Sequence, residues 1–172
     1  AVETEISDDL PEIDYEGAAF TMFVRDDDGF IADMYVESTT GDIMNDAVYE
    51  RNQKVAERFG IEFRIVRSAN VYATDATSVI LAGDDSYDML LCHARKISSY
   101  AQNSLLLEWN TELKYIDLDK PWWNQDSRES LSVAHKLFTC SGDICHLNLG
   151  AANGMFYNKH IFRELKLDEP YD

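Results

Sequence analysis

Gly41-Asp-Ile-Met-Asn-Asp-Ala-Val-Tyr-Glu-Arg-Asn52, running on to Phe59-Gly60-Ile61, is the stretch whose reading decides the fold. It reads as a capped amphipathic helix, stopped by a glycine and followed at once by a strand. Asp42 is an N-cap candidate, with Asn45 and Asp46 in the electropositive first turn. Met44, Val48, Val55 and Phe59 recur at helical spacing. Gly60 suits the left-handed position that ends a helix. Ile61, Phe63 and Ile65 then alternate with Glu62 and Arg64, the period of a strand.

Two further apolar runs flank this unit. Ala18-Ala19-Phe20-Thr21-Met22-Phe23-Val24 precedes it, and Tyr87-Asp88-Met89-Leu90-Leu91-Cys92 follows it. Neither run alternates, as expected of strands buried on both faces of a parallel sheet. Between the second and third strands, Thr74 to Ala82 carries Ala76, Val79 and Ile80 and is stopped by Gly83. The order strand, helix, strand, helix, strand predicts an α/β fold. Its sheet is open, doubly wound and mostly parallel, flanked by helices, with the Ala18–Val24 strand in the middle.

The helix sequence, Leu81-Ala82-Gly83-Asp84-Asp85-Ser86-Tyr87-Asp88, Pro121-Trp122-Trp123-Asn124 and Met155-Phe156-Tyr157-Asn158-Lys159 together resemble the extracellular solute-binding proteins of ABC importers, family 1, the sugar-type binders. The resemblance runs from about Leu10 to Asp172 and rests on the order of these phrases. It implies the first lobe of a periplasmic-binding-protein-like type II fold. It also implies two lobes and a chain more than twice as long as these 172 residues. On that expectation residues 1–16 are an acidic tether and 17–154 the first lobe. Residues 155–172 are then the crossover and first helix of a truncated second lobe. The implied location is extracellular, lipid-anchored to the outer face of the membrane through a removed N-terminal segment. The implied partners are a small polar solute, a sugar in the first instance, and the membrane permease of the importer.

Charge argues against nucleic acid. The chain carries 32 acids and 15 bases, net −17. Residues 1–50 hold 15 of the acids and a single base, Arg25. That third of the chain repels a polyanion. No apolar run approaches the length needed to span a membrane as a helix.

The three cysteines, Cys92, Cys140 and Cys145, cannot all pair. Cys140 and Cys145 bracket the turn Ser141-Gly142-Asp143-Ile144, where a disulfide and two free thiols are both open readings. The spacing of Cys140, Cys145 and His146 matches no standard zinc pattern. Asp26-Asp27-Asp28-Gly29 lacks the later oxygen ligands of a calcium loop, because Phe30 and Ala32 follow, and reads as a strand-ending turn. There is no phosphate-cradling glycine loop and no nucleophile elbow, so neither a cofactor nor catalysis is expected.

What remains is binding. In an open α/β sheet the crevice lies beyond the carboxyl ends of the strands, where strand order reverses. That rule nominates Arg25, Asp26, Asp27 and Asp28 after the first strand, and His93, Ala94, Arg95 and Lys96 after the third. Sugar rings stack their apolar faces on aromatics while polar side chains take the hydroxyls. Trp122 and Trp123 are the stacking candidates, one facing inward and the other the cleft. Asn124, Gln125, Asp126 and Asp143 are candidates for hydroxyls. Phe30 and Tyr35 are further aromatics near the first loop, and Trp109 reads as core. The alternative function is a carbohydrate-active hydrolase with an α/β domain. An apolar stripe of Ile161, Phe162, Leu165 and Leu167 on a helix over Asn158–Leu167 predicts burial against another surface, a dimer of the fragment being the expected form.

Overall fold

A computed structural model describes residues 6–69, 76–91, 94–144, 146 and 157–168. Three strands, β1 (Ala18–Arg25), β2 (Ile61–Ser68) and β3 (Met89–Leu91), form one sheet in the order β2-β1-β3. Both pairings are parallel, and β1 lies in the middle. β1 and β2 pair from Ala18↔Ile61 to Arg25↔Ser68, and Met22↔Met89 to Val24↔Leu91 join β1 to β3. The expected sheet is therefore present as a small open parallel α/β sheet flanked by helices.

The non-alternating sequence of β1 has its cause in packing. Met22 and Val24 point to one face, where they meet Ile31 with Phe63, Ile65, Met89 and Leu91 around them. Phe23 points to the other, against Ala76 with Val66, Ile80, Tyr87 and Leu90. All three β1 residues are 2 % exposed. Each side chain of that size stabilises the fold by roughly 1.5–3 kcal/mol when fully buried.

One face is covered by α1 (Asp28–Met34) and α2 (Ile43–Phe59), the other by α3 (Ala76–Leu81). The helix read from the sequence is α2. The Asp42 carboxylate accepts from the N–H groups of Met44 and Asn45, both at 3.0 Å. Gly60 closes the helix at φ 58°, ψ 46°. Val48 is buried and Val55 and Phe59 are half-buried, but Met44 is 49 % exposed. The buried face instead takes in Asn52, whose Nδ2 donates to Met34 O at 2.9 Å.

α1 corrects the reading of Asp26–Gly29 as a simple turn. Asp27 caps a short helix, its carboxylate accepting from Gly29 N–H at 3.1 Å and its carbonyl from Phe30 and Ile31. Burial of Ile31 and Met34 against β1 and α2 holds it. The start of β3 is fixed by a reciprocal pair. Asp88 N–H donates to Thr21 O at 2.9 Å, and the Asp88 carboxylate accepts from Thr21 N–H at 2.7 Å.

Beyond β3 come a 3-10 turn (Ala94–Lys96), α4 (Ile97–Gln102), α5 (Gln125–Leu131) and α6 (Lys159–Glu164). Asn158 caps α6, accepting from His160 and Ile161 N–H. Ile161, Leu165 and Leu167 are exposed there, and Phe162 stacks on Tyr157 with ring centroids 4.7 Å apart. Met155 and Phe156, read as the crossover, lie outside the described residues.

Residues 6–16, read as an acidic tether, carry no helix or strand and are tied to the sheet domain. Tyr15 N–H donates to Phe59 O and Gly17 N–H to Gly60 O, satisfying carbonyls that α2 leaves open. Arg58 pairs with Asp8 at 2.5 Å and Lys120 with Asp9 at 2.5 Å. The Arg58 hydrogen bond, with Leu10 N–H, holds the Asp8 carboxyl below the usual carboxylate range. No helix among the described residues is long and apolar enough to cross a membrane.

Outcomes of two kinds are expected, the first at the ends of α2. Asp42→Ala removes the α2 cap and lowers stability by about 1 kcal/mol, measured as a urea midpoint. Gly60→Ala lowers it further, because it combines a left-handed φ with a Cβ only 1.9 Å from the Asp14 carboxylate. The second outcome concerns acid. Thr40 N–H, the Asn45 amide and Gly41 N–H hold the Asp46 carboxyl below its ordinary value. A folded pKa that is depressed gives stability that is complete above the unfolded value, about 3.9, and lost as pH falls through the folded one. Asp46→Asn should therefore flatten the fall of the urea midpoint below about pH 5, and an unchanged pH profile would contradict this.

Candidate functional site

The carboxyl end of the sheet is built from charged pairs. At the end of β1 the Arg25 guanidinium lies 3.2 Å from the Asp27 carboxylate and stacks over the Phe30 ring, 4.6 Å from its centroid. At the end of β2, Arg67 bridges Asp26 at 3.0 Å and Asp28 at 2.9 Å. These two carboxylates hold the guanidinium firmly protonated, the Asp26 hydrogen bond contributing most. Arg25, Asp26 and Asp28 are thus brought together, and Arg67 joins them. Arg67 falls on the same face as Ile61, Phe63 and Ile65, so the alternation of β2 predicts neither its exposure nor its partners in the β1 loop.

Arg95 and Lys96 sit in the 3-10 turn that follows β3, Arg95 exposed and Lys96 half-buried. His93 and Cys92 lie outside the described residues. A shallow cleft of about 480 Å³ opens on the β2 side of the Arg25–Asp28 loop, walled by Asp28, Tyr35, Glu37, Asn45 and Arg67 over Ile31 and Ile65.

A second group forms around the tryptophans. Trp123, half-buried like Trp122, packs edge-on against Trp109, centroids 5.6 Å apart. Trp122 is half-buried, with Lys120 Nζ 5.9 Å from its centroid. Trp123 bridges Gly142 across an antiparallel pair of segments. Asp143 N–H donates to Trp122 O and Asn124 N–H to Ser141 O, each at 2.9 Å. Trp122, Trp123 and Asp143 therefore belong to one backbone-paired unit, with Asp143 exposed. Gly142 is required by close approach, since a Cβ there would lie 2.1 Å from Trp122 O. Cys140 is a free thiol, and Cys145 lies outside the described residues.

Two of the residues suggested for hydroxyls have structural duties. The Asn124 carboxamide caps α5 through Ser127 N–H at 2.7 Å. Gln125 Nε2 donates to Leu118 O at 3.0 Å and Trp123 O at 3.1 Å. Asp126 is exposed in the first turn of α5.

Between the two groups lies a polar cluster that the sequence did not reveal. Asp33, 3 % exposed on α1, accepts from His146 N–H at 2.8 Å and lies 2.7 Å from His146 Nδ1. Arg51 on α2 donates to Met34 O at 2.8 Å, Asn52 Oδ1 at 3.0 Å and Ile144 O at 3.3 Å. Burial pulls the Arg51 pKa below its ordinary value, and the nearby Asp33 charge opposes that pull. Only one signal pointed here: Arg51 and Asn52 lie between Val48 and Val55, on the face meant for the core.

Among the described residues no group of three or more His, Cys, Asp or Glu side chains is placed to hold a metal ion. No protein-family model matches the chain, and no curated protein matches it.

Gly142→Ala should destabilise the fold by about 1–3 kcal/mol, the usual cost of forcing atoms into a packed site. It should also alter the near-ultraviolet dichroism of the tryptophans. A normal tryptophan spectrum in that variant would show that the segments pair without this close approach.

Proposed function

We propose that the protein is the extracellular solute-binding component of an ABC import system. It captures a small polar solute, a carbohydrate in the first instance, in a cleft between two lobes of a periplasmic-binding-protein-like type II fold. The described sheet is the core of the first lobe, and the second lobe supplies the opposite wall. The ligand-binding residues are Arg25, Asp26, Asp28, His93, Arg95, Trp122, Trp123 and Asp143. The loaded protein delivers its solute to a membrane permease, and a lipid anchor at the N-terminal side keeps it on the outer face of the membrane.

The observation that carries this reading is the strand order. In β2-β1-β3 the chain leaves β1 for one side and returns to the other, so the β1–β3 boundary is a switch point. Arg25 with its Phe30 ring, and Arg95 with Lys96, stand at that end of the two strands. An aromatic face beside fixed charged hydrogen-bonding groups suits a polyhydroxylated ligand. Capture, unlike hydrolysis, requires no acid and base held at a set separation.

Thermal-shift screening of the protein against mono- and oligosaccharides tests the proposal. A ligand at 100-fold excess over its Kd stabilises by about 2.7 kcal/mol. A saturable shift is expected for at least one sugar, with the sugar recovered intact. Trp122→Ala should weaken that shift without lowering the melting temperature of the free protein by a comparable amount. Release of new reducing ends would favour the hydrolase, and no shift across the panel would remove the carbohydrate.

A further inference from the structure

The 141–146 segment meets α1 and α2 through polar groups. Among its described residues none is buried: Ser141, Gly142 and His146 are half-buried, Asp143 is exposed and Ile144 is 41 % exposed. Its described residues thus reach the neighbouring helices through directional polar contacts. Those contacts converge on two side chains of the neighbouring helices. Asp33 of α1 takes both the backbone N–H and the ring Nδ1 of His146. Arg51 of α2 reaches Ile144 O from one side and Met34 O from the other. Asn52 is the remaining polar group of α2 in the cluster, bonded to Met34 O and to Arg51 Nε.

We propose that Asp33 is a positioning residue, whose carboxylate latches the 141–146 segment, and with it Asp143 and the Trp122–Trp123 pair, onto the helix that begins in the Arg25–Asp28 loop. Asp33 lies five residues beyond Asp28, roughly 7–8 Å along α1 at about 1.5 Å per residue. The segment is joined in turn to Trp122 and Trp123 by the Gly142 bridge and the Asp143 N–H bond. One carboxylate thus links the first loop's helix to the segment that holds the tryptophans, beside the link that Arg51 makes between Met34 O and Ile144 O. The carboxylate meets the backbone N–H and the ring Nδ1 of one residue at once, which fixes the position and the angle of that residue. An apolar contact of the same area would fix neither. The inference deepens the function proposed above and rests on it for the claim that both groups serve one ligand.

Hydrogen exchange by mass spectrometry on the full chain, without ligand, reads the latch directly. In Asp33→Ala, peptides covering 141–146 should exchange at least about tenfold faster, while β1 peptides keep their protection, the pattern of a local opening. Asp33→Asn keeps one acceptor oxygen and should fall between. Unchanged exchange over 141–146 overturns the proposal. So does equal acceleration in β1, which would make Asp33 a general stabiliser of the fold. If Asp33→Ala does not fold, His146→Ala removes the ring bond alone and leaves the backbone bond. It should then accelerate 141–146 to a smaller extent, and no acceleration would again overturn the latch. Because no sugar is present, failure here leaves solute capture untouched, and failure of the sugar screen leaves the latch untouched.

Discussion

The structure depends on burying a strand from both sides. Met22, Phe23 and Val24 are consecutive, and each is almost fully shielded. A strand presents successive side chains to opposite faces, so three buried neighbours demand cover above and below. α1 and α2 supply it on one face and α3 on the other. Once β1 is central, β2 and β3 must flank it, and the carboxyl end of β1 becomes the place where the chain diverges. The location of Arg25 and its neighbours follows from that one packing demand.

Much of this was legible. α2 and β2 each carry an unbroken period with a stop signal between them, so their type and junction could be read residue by residue. β1 and β3 were legible from the lack of alternation. α1 was not, because Asp26, Asp27 and Asp28 look like a solvated turn, and only Ile31 and Met34 mark its inner face. The cap at Asp27 is the sign that was available. The site was less legible than the fold. Asn124 and Gln125 resemble sugar ligands by type, yet backbone groups occupy them. Arg51 and Asn52 were invisible to a pattern that searches for apolar faces. Asp33 could not be singled out among 32 acids, because His146, which it binds, is 113 positions away in the chain.

The acidic first third takes a different meaning from the structure. Several of its carboxylates are acceptors for backbone N–H groups: Asp27 and Asp42 at helix starts, and Asp46 in the first turn of α2. Asp8 and Asp9 hold the N-terminal segment to Arg58 and Lys120. The net charge still repels polyanions, but individual acids there serve local geometry. Counting them as potential ligands overstates how many are available.

The reciprocal bonds between Asp88 and Thr21 bear on how β3 finds its partner. β3 is three apolar residues, Met89, Leu90 and Leu91, with no polar face. In an alternating strand, a slip of one residue exchanges the buried and solvated faces and is penalised at every position. Here such a slip would trade one apolar side chain for another, so hydrophobicity gives almost no preference among alignments. The Asp88 carboxylate provides the missing preference, because it meets Thr21 N–H in one alignment and would lose that donor in the next. A strand freed from facial coding needs an address written elsewhere, and this chain writes it one residue before the strand begins.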